Sequence, residues 1–287
     1  MPSQTILEIG TVNSLWRYPV KSMGGESLSE ACIHNGGVLG DRAYAVIDPT
    51  NGKIASAKHP RKWAKLLEMS ATYGRPPDAT SPPPPICIKF ADGTEIISDD
   101  VELNASLSEQ LGRAAVLTTT RPESVSLERV DPLLGEENIL DIGELMMEGR
   151  FTDYAAIHLL TTATLSQLSQ LAPQSDFDVR RFRPNIVIET AEDQVGFVEN
   201  NWVGSTIAIG DEVRLKVTDP SPRCLIPTLA QRELKQNAQV LQAIAAHNRI
   251  SVPVLNGGLA ACAGVYACVI QRGIVRPTDK VRVEITG

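Results

Sequence analysis

The chain has 287 residues, 43% of them hydrophobic and 21% charged, which is ample for a soluble core and suggests about two domains. Its formal net charge of -7 repels phosphate backbones and argues against a nucleic-acid partner. Five scattered cysteines with no C-x-x-C pair argue against a disulfide framework, structural zinc and iron–sulfur clusters, and for a reducing, cytoplasmic setting. The opening Met1-Pro2-Ser3-Gln4-Thr5-Ile6 has neither a basic nor an apolar leader region, so no secretory signal is expected. The long uncharged stretch 252–270 contains Pro253, Gly257, Gly258 and Gly264, and no membrane span is expected from it.

In chain order, residues 10–18 read as a strand ended by Pro19, and 28–34 as a weakly alternating strand. Arg42-Ala-Tyr-Ala-Val-Ile47 followed by Asp48-Pro49-Thr50-Asn51-Gly52 predicts a hairpin over 42–57. Residues 76–85 form a loop, because Pro82 to Pro85 cannot donate to a ladder. Residues 86–90 and 95–98 make a second hairpin around Ala91-Asp92-Gly93. Leu103, Leu107 and Leu111 predict a helix over 101–112 stopped by Gly112.

Residues 121–150 show little periodicity and hold Pro122, Pro132, Gly135, Gly143 and Gly149. The expected domain boundary falls there, giving domains 1–125 and 126–287. Helices are expected at 162–171 and 237–248, and strands at 185–189, 206–209, 212–217, 264–270 and 281–285. Many short strands with about three helices predict a mainly β (α+β) protein with barrel-like sheets.

Cys224 lies in Asp219-Pro220-Ser221-Pro222-Arg223-Cys224-Leu225-Ile226-Pro227-Thr228. Three prolines stiffen this loop, and the preceding arginine favours a thiolate, suited to a soft metal or to nucleophilic chemistry. A half-buried structural cysteine remains the alternative. Lys21, Arg42, Arg183 and Arg223 each sit beside Pro or Gly at a strand end or turn, with Ser22 and Asn185 as neutral donors. Such residues either hold phosphate or carboxylate together or are separate solvated charges. His34, His59, His158 and His247 have no sequence context that makes one of them a base for Cys224. Cys262 and Cys268 read as core, and Trp16, Trp63 and Trp202 as packing.

Tyr18-Pro19-Val20-Lys21-Ser22, Gly40-Asp41-Arg42, Phe182-Arg183-Pro184-Asn185-Ile186-Val187, Arg223-Cys224 and Gly264-Val265-Tyr266-Ala267, in this order, resemble the MOSC family. The first part resembles the β-barrel domain that often precedes MOSC, and the second MOSC itself. Within that family the chain is similar to the mitochondrial amidoxime reducing components and their bacterial counterparts.

The resemblance implies a molybdenum cofactor (Mo-molybdopterin), with Cys224 as metal ligand and catalytic residue. It implies Lys21, Ser22, Arg42, Arg183 and Asn185 as cofactor-binding residues, with Arg223 beside them. Thr161 matches a cofactor-binding hydroxyl at a helix start, and Tyr266 falls near the site. A weaker family-level association is with pyridoxal phosphate.

The implied activity is reduction of N-hydroxylated small molecules, with electrons from a separate flavin, haem or iron–sulfur protein. A persulfide-based sulfur carrier using Cys224 and a non-catalytic cofactor carrier are the alternatives. The chain departs from the family pattern after Arg-Cys, where Pro227-Thr228-Leu229-Ala230-Gln231-Arg232 replaces an Asp- and Gly-containing turn, and at Pro222, where relatives often have serine. Both departures adjoin the expected substrate pocket.

Overall fold

Seven strands rich in Val and Ile close on themselves. In chain order they are β1 (Gln4–Arg17), β2 (Ile157–Thr161), β3 (Ile186–Thr190), β4 (Thr206–Ile209), β5 (Val213–Pro222), β6 (Gly258–Gln271) and β7 (Lys280–Thr286). Their order around the ring is β2-β3-β1-β7-β4-β5-β6, and β6 returns to β2 through Ile157↔Ala267 and Leu159↔Val265. Only β2 and β3 run parallel within the ring. The computed structural model describes residues 4–122, 126–130, 137–141, 150–152 and 154–286.

Alternation along these strands turns one face inward. Val12, Leu15, Leu159, Ile186, Ile188, Ile207, Leu215, Val217, Val265 and Val283 all join one buried cluster. β-branched side chains suit this pleated, closed surface, and closure leaves the ring no open edge. β1 is irregular next to Gly10, where its register shifts against β7. Gly10 has φ 147°, and a Cβ there would lie 2.0 Å from the Glu189 carbonyl oxygen, so only glycine fits.

A second lobe carries its own core around Val20, Met23, Tyr44, Trp63, Leu66 and Ile88. It contains the three-stranded sheet Ser70–Tyr73, Ile86–Lys89 and Glu95–Ile97. Five helices occur among the described residues: α1 (Pro60–Trp63), α2 (Leu103–Leu111), α3 (Thr162–Leu171), α4 (Val179–Phe182) and α5 (Gln239–His247). In α2 the leucines four apart are buried, and Gly112 ends the helix in the left-handed region at φ 68°. α3 and α5 pack on the barrel through Leu168, Val240 and Ile244. No helix among the described residues is long and apolar enough to cross a membrane.

The fold is mainly β with a few helices, as the sequence indicates. The hairpin expected over 42–57 does not form as a ladder. Ala45–Ile47 pairs with Val116–Thr118 instead and meets its expected partner only through the Ile47–Ile54 bridge. Val116-Leu117-Thr118 is a better strand former than the Gly-, Ala- and Ser-rich 52–57. The 121–150 segment expected to hold the domain boundary lies largely outside the described residues. β1 comes from the first part of the chain yet sits between β3 and β7 from the second, so the two parts share one sheet. Cys262 is buried, whereas Cys268, expected in the core, is exposed on the outward face of β6.

Candidate functional site

Turns converge where the barrel meets the second lobe. Lys21 and Ser22 follow the end of β1, and Arg42 follows the Gly40-Asp41 turn. Arg183 is the C-cap of α4, whose N-cap Asp178 accepts the Arg180 backbone N–H. Asn185 precedes β3, Arg223 and Cys224 follow β5, and Tyr266 stands on β6. All eight line one cavity of about 150 Å³, together with Cys224's neighbour Pro222 and with Tyr154 and His158 near the start of β2. The ninth residue singled out from sequence, Thr161, is not brought there.

The cavity has a marked charge bias. Lys21, Arg42, Lys58, Arg183 and Arg223 line it, and among the described residues no carboxylate does. Five cations on one wall are costly to hold together unless an anion offsets them. Ser22, Arg42 and Arg183 all adopt left-handed backbone, with φ of 68°, 48° and 56°. Non-glycine residues seldom do so, and such strain clusters at ligand sites.

The individual contacts fix these groups. The Lys21 Nζ donates to the Phe151 carbonyl at 3.0 Å. Arg42 pairs with the fully buried Asp41 and lies 4.6 Å over the Tyr18 ring, while Arg183 covers Tyr18 at 4.3 Å and donates to the Met23 carbonyl at 2.6 Å. Tyr18 is thus held between two guanidinium groups. Asn185 stitches the strands behind the cavity, with its Oδ1 accepting the His158 backbone N–H at 3.1 Å. Arg223 donates to Ser221 Oγ at 2.9 Å and to the Phe182 carbonyl at 2.8 Å. Its backbone N–H donates to the Ala261 carbonyl at 2.8 Å, which fixes the approach to Cys224. Cys224 is half-buried and packs against Ala57, Leu67, Ile226 and Leu229.

His158 is fully enclosed. Burial, aided by the Arg223 charge, pushes its imidazole down to about 3, so the ring is neutral. Tyr266 packs against His158 and Tyr154, with ring centroids 5.6 Å and 5.5 Å away. The Tyr154 hydroxyl donates to Asp219 Oδ2 at 2.5 Å, and burial with that carboxylate pushes the phenol up to about 12. Lys58, Thr152, Tyr154 and His158 were not identified from sequence.

Thr161 caps α3, as its position at a helix start implied, but the anion it meets is internal. Its hydroxyl donates to Glu199 Oε2 at 2.8 Å. Glu199 also accepts from the Thr164 hydroxyl at 2.7 Å and the Gly264 N–H at 3.2 Å. This carboxyl is fully buried, and desolvation raises its pKa. An acid whose folded pKa is raised stabilises the fold below its unfolded value and loses that contribution as pH rises through the folded value. The neutral amide in Glu199→Gln is therefore expected to gain stability relative to wild type between pH 5 and pH 8, measured by urea denaturation at both. An unchanged difference across that range would contradict this.

The donor set fits a cofactor with an anionic phosphate and a soft metal. Beyond the cations and the thiol, the buried Thr152 hydroxyl and the Arg223 Nε have no hydrogen-bond partner among the described residues. Orphaned polar atoms in a cavity lining are costly without a ligand or water to meet them.

Comparison with known proteins gives a consistent family assignment. Residues 9–73 match the family described as MOSC N-terminal beta barrel domain, and residues 147–282 the family described as MOSC domain. Among curated proteins, the chain is 26% identical over 238 residues to mitochondrial amidoxime reducing component 2 of Rattus norvegicus, covering 77% of this chain and 67% of that one. It is 27% identical over 242 residues to mitochondrial amidoxime-reducing component 1 of Mus musculus, covering 77% of this chain and 66% of that one. Among solved structures, the YUAD protein from Bacillus subtilis aligns over 100% of both chains at 12% identity, with a TM-score of 0.48.

Proposed function

The chain belongs to the MOSC-domain family, and from that premise we propose that it is a molybdenum-cofactor oxidoreductase that reduces N-hydroxylated compounds, with Cys224 as the protein ligand to the metal. The observation that carries this reading is the cavity lining, which among the described residues has five cationic side chains, no carboxylate and one accessible thiol. A phosphate-bearing, thiolate-ligated group suits that combination. The similarity to proteins named for amidoxime reduction supports the choice of reaction.

Lys21, Arg42, Lys58 and Arg183 would hold the phosphate by charge-assisted bonds, with Ser22 and Thr152 adding hydroxyls. When bound, the cofactor supplies two-electron chemistry that converts N–OH to N–H with uptake of two protons and release of water. Arg223 and Pro222 orient Cys224. Tyr154 and Tyr266 form an aromatic wall that favours a flat substrate group. His158 stays neutral at the assay pH and so adds no charge to the cation cluster. The two electrons come from a separate flavin, haem or iron–sulfur protein.

Arg183→Met is expected to lower retained pterin by roughly tenfold or more, since a charge-assisted bond to phosphate is worth about 1.5–3 kcal/mol. The readout is the fluorescence of oxidised pterin released from each protein after purification. Lys89→Met, at an exposed ion pair in the second lobe, should match wild type. Equal pterin in all three would count against the phosphate site. Labile sulfur on Cys224 without retained metal would instead favour a sulfur carrier.

A further inference from the structure

A second and larger cavity, of about 470 Å³, lies on the other side of Arg183. That volume is within the range of small-molecule sites, roughly 300–1,000 Å³. The short turn 21–25 serves both cavities, with Lys21 and Ser22 lining the first and Gly24 and Gly25 the second. Residues 231–234 close it through the Gln231–Leu234 bridge.

Three features mark this cavity as built for a ligand. Tyr18 lines it and is only 2% exposed, and its hydroxyl has no hydrogen-bond partner among the described residues. Burial raises that phenol's pKa, so the group remains an O–H donor. Arg232 adopts φ 50°, the left-handed backbone that Arg42 and Arg183 adopt in the first cavity. The lining holds three arginines against two glutamates; Glu26 pairs with Arg17 at 2.9 Å, and Glu233 pairs with both Arg180 at 3.0 Å and Arg232 at 3.6 Å, so the lining keeps a positive balance. Trp16 and Leu234 supply flat and apolar wall.

We propose that this cavity binds a small aryl or heteroaryl carboxylate. The ring lies against Trp16, the carboxylate meets Arg232 and Arg183, and it accepts the Tyr18 hydroxyl proton in a hydrogen bond. A guanidinium pair matches a carboxylate in charge and shape, and an indole matches a flat ring. The site does not rest on the cofactor assignment, although the two cavities share Arg183 and adjoin through the turn 21–25 and through Tyr18, which packs against Arg42.

Nicotinate is the probe, with nicotinamide as its uncharged counterpart. Nicotinate is expected to change tryptophan emission saturably, and Trp16→Phe should abolish the change because Trp63 and Trp202 are buried elsewhere. Calorimetry on the same pair gives the affinities directly. Nicotinamide should bind at least about tenfold more weakly, and Arg232→Met should weaken nicotinate by a similar factor. Tyr18→Phe keeps the ring between its arginines, so it should fold with unchanged Tm while binding nicotinate several-fold more weakly. No saturable binding of nicotinate by roughly 20 mM, equal affinity for nicotinamide, or full affinity in Arg232→Met and Tyr18→Phe would each overturn the proposal.

Discussion

Cys224→Ala, expressed in a cofactor-sufficient host, is expected to lose turnover of N-hydroxylated substrates and nearly all bound molybdenum, while wild type carries the metal near stoichiometrically. The thiol sits just past the end of β5, where Pro222 still pairs with Cys262 on β6 and the Arg223 N–H holds the Ala261 carbonyl. The sulfur is therefore presented by a fixed backbone, as a metal ligand requires. Because Cys224 is only half-buried, removing its sulfur should cost no more than about 1 kcal/mol of stability, well below the cost of emptying a core site. An unchanged melting temperature with lost metal therefore separates ligand loss from misfolding. Metal content at the wild-type level in Cys224→Ala would remove the cysteine from the site.

Gly264→Ala is expected to be the most damaging small substitution near the cavity. Gly264 has φ 83°, and a Cβ there would lie 2.4 Å from His158 Nε2 and 2.5 Å from the Leu159 carbonyl oxygen. One neighbour is backbone in β2 and the other is a fully enclosed ring, so neither can yield cheaply. The Gly264 N–H also bonds Glu199, which ties the start of α3 to β6. Left-handed strain and overpacking together should cost about 3 kcal/mol or more. Urea unfolding measures the loss, and a shift below about 1 kcal/mol would show that β6 can move away from β2. Displaced His158 and Tyr266 should also lower pterin retention in whatever fraction folds.

Much of the barrel was legible because its central strands are short apolar, mostly β-branched runs or alternate apolar with charged residues. Ile186–Thr190, Thr206–Ile209 and the start of Val213–Pro222 follow that pattern, as do α3 and α5 with theirs. The first half of β1 was missed because Gly10, needed for a bulge, reads locally as a break. β6 begins at Gly258, six residues before the expected strand, because Gly258-Leu-Ala-Ala-Cys-Ala263 carries no period-two signal and pairs with Arg249–Val252 for tertiary reasons. The pairing of Ala45–Ile47 with Val116–Thr118 spans about seventy residues, beyond any local pattern.

The site was legible in its turn residues and hidden elsewhere. Lys21, Arg42, Arg183 and Cys224 stand beside Pro, Gly or a strand end, where sequence shows a loop that can carry function. Lys58 had one available signal, the His59-Pro60 step that opens α1. Tyr154 lies just before β2 and His158 within its apolar run, and only their partners Asp219 and Tyr266 make them part of the cavity. Thr161 shows the limit of a capping rule. The rule finds a hydroxyl at a helix start but cannot show that Glu199, far along the chain, already occupies that position.

The central claim is that Cys224 ligates molybdenum in this cavity. Molybdenum K-edge X-ray absorption on the loaded wild-type protein tests it most directly. The account predicts a sulfur shell with one scatterer more than the cofactor's own dithiolene can supply. A shell that the dithiolene alone explains would contradict it.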